Sequence, residues 1–324
     1  MPDNSVKTMR AWLFDAVDQP LRSAVVDRPT PGPGEVLVSV RASGLCHSDV
    51  GFMDGTLTHI LPGLPMILGH EAAGDIVEIG PGVSGWEVGD RVVSAISSDD
   101  SPGVTRDGAY AEYMIVTATR LVRILDGISY EQAAAATDAG VTSYNGIVNS
   151  GGVRAGMTVG VIGLGGLGLT GARIGVIKGA KVIGIEPKRD VWDAARERGL
   201  TEIVADISEL EGRELDLVVD YAGFSTTTAG ALKAVRKGGR VVLVGLGKPE
   251  VTFAAHDLVS NYVTLVGSTP PGDPADVAAV LEMIASGDLV IAARTVGFDD
   301  IPEGLSELAA GRVSGRLVAA LPAA

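Results

Sequence analysis

Cysteine is all but absent from this 324-residue sequence, and the one thiol is Cys46. A single cysteine makes no intramolecular disulfide, so nothing in the composition calls for an oxidising compartment. Aromatic side chains amount to 4%, which leaves no recognisable stacking platform. Positive charge is in deficit: 26 Lys and Arg face 40 Asp and Glu, a net −14 spread along the chain. Such a surface argues against nucleic acid and anionic membrane as partners. No long apolar run is present either. The most apolar stretch, 157–171, is interrupted by glycine and soon meets Arg173, too short and too broken for a membrane span. The segment Met1 to Lys7 lacks the basic-then-apolar pattern of a signal peptide. The expectation is a cytoplasmic protein with neither nucleic-acid nor membrane partner.

Apolar residues and glycine are abundant, at 46% of the chain and 44 positions. The length allows two domains, each with a sizeable core. Up to about Tyr130 the pattern is that of short strands: Ala11 to Phe14, Glu35 to Arg41 after the turn Pro31-Gly32-Pro33-Gly34, Gly74 to Gly80, and Gly89 to Val93. No helix-period segment is expected there. Ser129 then reads as an N-cap, with Gln132 completing a capping box for an alanine-rich helix. Beyond it, strands at 158–162, 181–185, 215–220, 239–244 and 263–266 alternate with helices, as a doubly wound parallel sheet requires. A helix over 276–286 and a closing strand over 316–321 complete the α/β reading.

The glycine run Gly163-Leu164-Gly165-Gly166-Leu167-Gly168 follows a predicted strand and opens a predicted helix. Gly163 permits the tight turn, Gly165 lets the backbone approach a pyrophosphate, and Gly168 allows close helix packing. The N–H groups at the helix start, Gly166 and Leu167 among them, suit phosphate. Glu186 ends the next strand 18 residues after Gly168, where a carboxylate accepts from the adenosine ribose and repels a 2′-phosphate. Lys188 and Arg189 lie close by and would attract that phosphate. NAD(H) is favoured, with NADP(H) left open.

Cys46 lies in Gly44-Leu45-Cys46-His47-Ser48-Asp49, and some two dozen residues later comes Gly69-His70-Glu71. A thiolate, an imidazole and carboxylates suit zinc. Read alone, each has a blander explanation: a small buried hydrophobe, a satisfied core histidine, a helix-end aspartate. Together with Ile67-Leu68-Gly69-His70-Glu71-Ala72-Ala73-Gly74, Gly89-Asp90-Arg91-Val92, Asp107 to Tyr113 and the glycine run, they make the chain resemble the zinc-dependent medium-chain alcohol dehydrogenases over nearly its whole length.

The resemblance implies a β-rich Greek-key (GroES-like) catalytic domain over 1–140 and 269–324, a Rossmann domain over 141–268, and an active site in the cleft. It implies Cys46, His70 and Asp138 as zinc ligands, Asp138 standing where many members have cysteine. Glu71 is implied beside the metal or on it. Asp49 is implied to orient His70, and Ser48 to carry a proton from the substrate alcohol. The relay histidine usual five residues after the zinc cysteine is Gly51 here, so the proton needs another route, with His47 a weaker candidate. Thr142, Val244, Gly245, Leu246, Gly267 and Ser268 are implied near the nicotinamide, and Arg316 at the pyrophosphate. The second, structural zinc of many relatives needs four cysteines and is excluded by composition. The loop Ser97 to Asp100 is expected to be either ordered by subunit contacts or mobile.

The reaction expected is hydride transfer between an alcohol, aldehyde or ketone and NAD(H), in a homodimer or homotetramer. A reductase of activated C=C or C=N bonds is the alternative on the same fold. A non-catalytic nucleotide-binding protein with structural zinc is the alternative from another class. Phe52, Met53, Leu57, Ile60 and Met114 are the expected pocket walls.

Overall fold

A computed structural model describes residues 7–269 and 272–322, so the reading of the first six residues lies outside the described residues. The chain forms two compact units. One takes Met1–Asp138, Pro271–Gly287 and Ala293–Ala324, and the other takes Ala139–Pro270 and Asp288–Ala292. The short return of Asp288–Ala292 to the second unit is tied there by Arg173, whose Nε donates to the Asp288 carbonyl at 2.7 Å.

The first unit is organised around the eleven-residue strand Glu35–Leu45, nearly all of it buried. Apolar side chains on both faces suit a strand covered on both sides. It pairs antiparallel with Glu71–Ile79 on one edge. On the other edge its first half pairs with Tyr113–Thr117 and its second half with Arg316–Ala320. Ala293–Gly297, Arg91–Ser94 and Leu121–Arg123 complete a seven-stranded sheet. A three-stranded sheet of Arg22–Asp27, Thr8–Phe14 and Met66–Ile67 lies in the same unit. Phe14, Leu37, Leu45, Leu68, Ile76 and Tyr110 are fully buried within its core, each large aliphatic side chain contributing about 1.5–3 kcal/mol.

A helix over His47–Met53 departs from the expectation of none before Tyr130. Seven residues are too few to display a helical period, and Gly51 lowers the propensity further. The helix is started by a cap. Cys46 Sγ accepts from the Ser48 N–H at 3.4 Å, and Asp49 Oδ2 accepts from the Cys46 N–H at 3.0 Å. The helix expected from Ser129 begins at Tyr130, with Ser129 Oγ accepting from the Gln132 N–H. It then widens into a π-helical turn over Ala136–Gly140, a departure common where a side chain is aimed at a functional site.

In the second unit six parallel strands lie in the order Glu202–Val204, Lys181–Ile185, Thr158–Ile162, Leu215–Asp220, Val235–Leu243 and Thr264–Gly267. Numbered along the chain this is 3-2-1-4-5-6, whose order reverses between the first strand and the fourth. The helix Gly166–Ile177 starts at that reversal. Between the second and third strands a 3-10 turn at Arg189–Val191 leads into a short helix, Trp192–Glu197.

The loop after Ser94 has hydrogen bonds within the chain. Ser97 Oγ donates to Asp99 and Asp100, and Arg106 bridges Asp100, Glu35 and Thr117.

Candidate active site

Three strand ends and one helix converge in the first unit. Cys46 terminates Glu35–Leu45, Glu71 opens Glu71–Ile79 with His70 just before it, and Arg316 opens the C-terminal strand. Register sets this proximity, since Gly44 pairs with Glu71 and Leu45 with Leu317. Gly44 is needed there: a Cβ on it would lie 2.2 Å from Glu71 Oε2. Asp138 arrives from the π-helical turn.

The result is a compact donor set. One ligand atom from each of Cys46, His70, Glu71 and Asp138 lies within 4.8 Å of the other three. Cys46 Sγ is 3.2 Å from Asp138 Oδ2. Tetrahedral zinc at ligand distances of ~2.0–2.3 Å needs donors roughly 3.3–3.8 Å apart, so small side-chain adjustments suffice. One soft sulfur, one borderline imidazole nitrogen and two hard carboxylates make a mixed set of the kind zinc takes, and three of the four residues are buried.

Asp49, with no exposure, supports this set from behind. Its Oδ1 faces His70 Nδ1 at 3.3 Å, and its Oδ2 accepts from the Cys46 N–H and from the Tyr110 hydroxyl at 2.8 Å. Burial opposes a charge on His70, yet the carboxylate of Asp49 and the nearby Cys46 hold its pKa well above the usual range. A field that favours imidazolium also favours a dication on the same ring. Tyr110 was not singled out by sequence. Its hydroxyl is buried against Asp49, and burial followed by that carboxylate pushes its pKa well up, keeping it a donor. Burial raises Glu71 to about 7, against the pull of Arg316.

In the second unit the fingerprint glycines at the turn and at the helix contact show the geometry their positions demand. Gly163 has φ 80°, the left-handed turn that excludes most side chains. A Cβ on Gly165 would meet nothing within 4 Å, whereas one on Gly168 would lie 1.7 Å from the Gly163 carbonyl oxygen. Gly166 and Leu167 form the first helical turn. Glu186 is buried, its Oε2 accepting from the Leu164 N–H and its Oε1 from the Lys188 N–H, each at 2.9 Å. The carboxylate thus ties the glycine turn to the end of the following strand.

Residues 32–126 match the model of the alcohol dehydrogenase GroES-like domain, and residues 166–286 that of the zinc-binding dehydrogenase. An alcohol dehydrogenase of Geobacillus stearothermophilus is 30% identical over 96% of this chain and 99% of its own. The chain belongs to the medium-chain dehydrogenase/reductase family. An NAD-dependent alcohol dehydrogenase of Sulfolobus acidocaldarius is 29% identical over 96% of this chain and 99% of that one. Among solved structures, acetophenone reductase from Geotrichum candidum in complex with NAD superposes with TM-score 0.88 at 28% identity, over 97% and 98% of the two chains. The alcohol dehydrogenase of Aeropyrum pernix gives 0.88 at 27% identity, over 96% and 100%. The first unit of this dehydrogenase is thus GroES-like and the second a Rossmann domain.

The remaining expected site residues of this dehydrogenase fall into three groups. Ser48 is half-buried with Oγ 3.6 Å from Cys46 Sγ, while His47 is exposed beside it. Val244, Gly245 and Leu246 follow the fifth Rossmann strand, and Gly267 and Ser268 end the sixth, at the carboxyl edge where nucleotides bind. Thr142 is buried, Lys188 is exposed, and Arg189 lies over the Trp192 ring. Arg316 lies against the candidate metal ligands. It is 6% exposed, and its guanidinium is engaged by Glu71 and Asp138. Burying Glu71 away from water demands a cation, and Arg316 supplies it.

Phe52 belongs to the buried core of the first unit. Met114 lines a cavity of about 370 Å³ with Met9, Leu13, Val26 and Ile115, none of them a ligand residue. At Gly51 an added Cβ would lie 2.9 Å from Leu57 Cδ1, so Leu57 covers the position where a relay histidine would stand.

Proposed function

We propose that this enzyme transfers a hydride between an alcohol and the corresponding aldehyde or ketone, using NAD(H) and one catalytic zinc. The observation that carries the reading is the buried set Cys46, His70, Glu71 and Asp138, in a chain that also carries a Rossmann fingerprint. Bound zinc supplies Lewis-acid polarisation of an alcohol or carbonyl oxygen, and a bound nicotinamide takes or gives the hydride. Cys46, His70 and Asp138 would hold the metal. Glu71 shares its charge between that site and Arg316, ready to act as a ligand when one is exchanged. Asp49 fixes the ring of His70, so that the ring faces the metal side with Nε2. Ser48 would accept the proton of the substrate hydroxyl and donate its own to water, since Leu57 covers the position of a relay histidine.

NAD(H) is preferred because Glu186 is held in place by two backbone donors and would meet a 2′-phosphate with its own charge. The edge strand Thr264–Gly267, beside exposed Val259 and Tyr262, supports a homodimer or homotetramer joined there. A reducing cytoplasm suits a lone thiol that must stay free for metal.

Reduction of activated C=C or C=N bonds is the second reading, favoured by the covered relay position. Metal analysis, NADH and NADPH titration, and NADH consumption with aldehydes, ketones, enones and cyclic imines decide among these. One zinc per chain with turnover of carbonyls is expected. Turnover of enones or imines alone would replace the alcohol dehydrogenase reading, and NADH binding with no turnover would replace both.

A further inference from the structure

The Rossmann unit carries a second cavity, of about 270 Å³, on the edge of the sheet where the strands begin, opposite the glycine turn. Arg154, Arg236 and Arg240 line it, with Asp216 as the one carboxylate. Their places in the fold explain the convergence. Arg154 precedes the strand Thr158–Ile162, Asp216 is the second residue of Leu215–Asp220, and Arg240 pairs in register with Leu217. In a chain of net charge −14, three guanidiniums around one concavity reverse the local sign.

The single acid does not neutralise them. Asp216 Oδ1 accepts from Arg236 Nε at 2.8 Å, and its Oδ2 accepts from the Thr158 N–H at 2.9 Å. Arg240 Nη1 donates to the Ser150 carbonyl at 2.8 Å, which satisfies one N–H and offsets no charge. The guanidinium of Arg154 has no protein partner among the described residues. Each guanidinium has five N–H donors, so most of those around the cavity are free for a ligand. Gly151, Gly152 and Gly238 line the remaining wall. Gly152 and Gly238 have φ 66° and 72°, turns that keep side chains off the opening.

We propose that this cavity binds a phosphate-bearing anion, at a site separate from the dinucleotide fingerprint. Guanidinium forks match tetrahedral oxyanions through paired, charge-assisted hydrogen bonds. The volume lies below the ~300–1,000 Å³ of pockets that enclose drug-sized ligands. It therefore suits inorganic phosphate, diphosphate or the phosphate end of a nucleotide, and not a second dinucleotide.

The test is calorimetric titration of inorganic diphosphate into the full-length, zinc-loaded enzyme saturated with NAD, which keeps the dinucleotide site filled. One diphosphate per chain is expected, with affinity that falls as salt rises. Arg154→Gln should weaken it at least tenfold without moving the melting temperature, and Arg154→Lys should recover part of the loss. Absence of saturable binding, equal affinity in Arg154→Gln, or equal binding of chloride would overturn the site. ADP in place of diphosphate separates the sources. Tighter binding of ADP assigns the phosphate to a nucleotide, and equal or weaker binding assigns it to free phosphate.

Discussion

Arg316 Nε lies 3.1 Å from Glu71 Oε2, and the same guanidinium also reaches Asp138. The pair joins residues 245 positions apart in the chain. Arg316→Met should destabilise the metal-free protein by about 1.5–3 kcal/mol, because Glu71 loses its charge-assisted hydrogen bonds and must take up a proton to stay buried. Adding Glu71→Gln should restore much of that loss. Urea denaturation of both variants measures the coupling, and simple additivity of the two losses would refute it.

Asp49 should matter to metal affinity beyond its part in the helix cap. Asp49→Ala is expected to weaken zinc about 10–100-fold, as measured by competition with a chelator, since His70 loses the group that orients it. Tyr110→Phe removes only one donor to the same carboxylate. That change should cost about 1 kcal/mol of stability and leave zinc affinity nearly intact. Equal zinc affinity in wild type and Asp49→Ala would remove Asp49 from this role.

Metal content should follow the donor set. Cys46→Ser and Asp138→Ala are expected to fall well below one zinc per chain, whereas Asp138→Cys should retain the metal and measurable turnover. Chelation of the wild type should abolish activity and lower the melting temperature, and added zinc should restore both. Full activity in a protein shown to be metal-free would contradict the proposed chemistry.

Glu186 has two separable tasks. Glu186→Ala should narrow the ratio of kcat/KM for NAD over NADP, because the charge that opposes a 2′-phosphate is gone. It should also cost about 1–3 kcal/mol, since the N–H groups of Leu164 and Lys188 lose their acceptor. An unchanged cofactor ratio alongside the stability loss would leave Glu186 a structural residue only.

The short-range code of this chain is easy to read where backbone geometry leaves one residue type suitable. Gly163 and Gly168 announce a turn and a close approach that no side chain permits. Cys46 and His70 drew attention because few residue types bind zinc, whereas Asp138 was assigned only by the family resemblance. The helix His47–Met53 was missed because a cap at Cys46, and not a periodic face, starts it. The π-helical turn that aims Asp138 leaves no mark in a run of alanines.

By itself the sequence determined the strand and glycine pattern of the Rossmann unit, the chemistry of the available ligands, and the impossibility of a four-cysteine zinc. Only the tertiary structure decided that Arg316 neutralises Glu71, that Tyr110 braces Asp49, and that Leu57 covers Gly51. Those relations depend on strand register and on burial. Both arise when distant segments pack together, so local composition and spacing carry no trace of them.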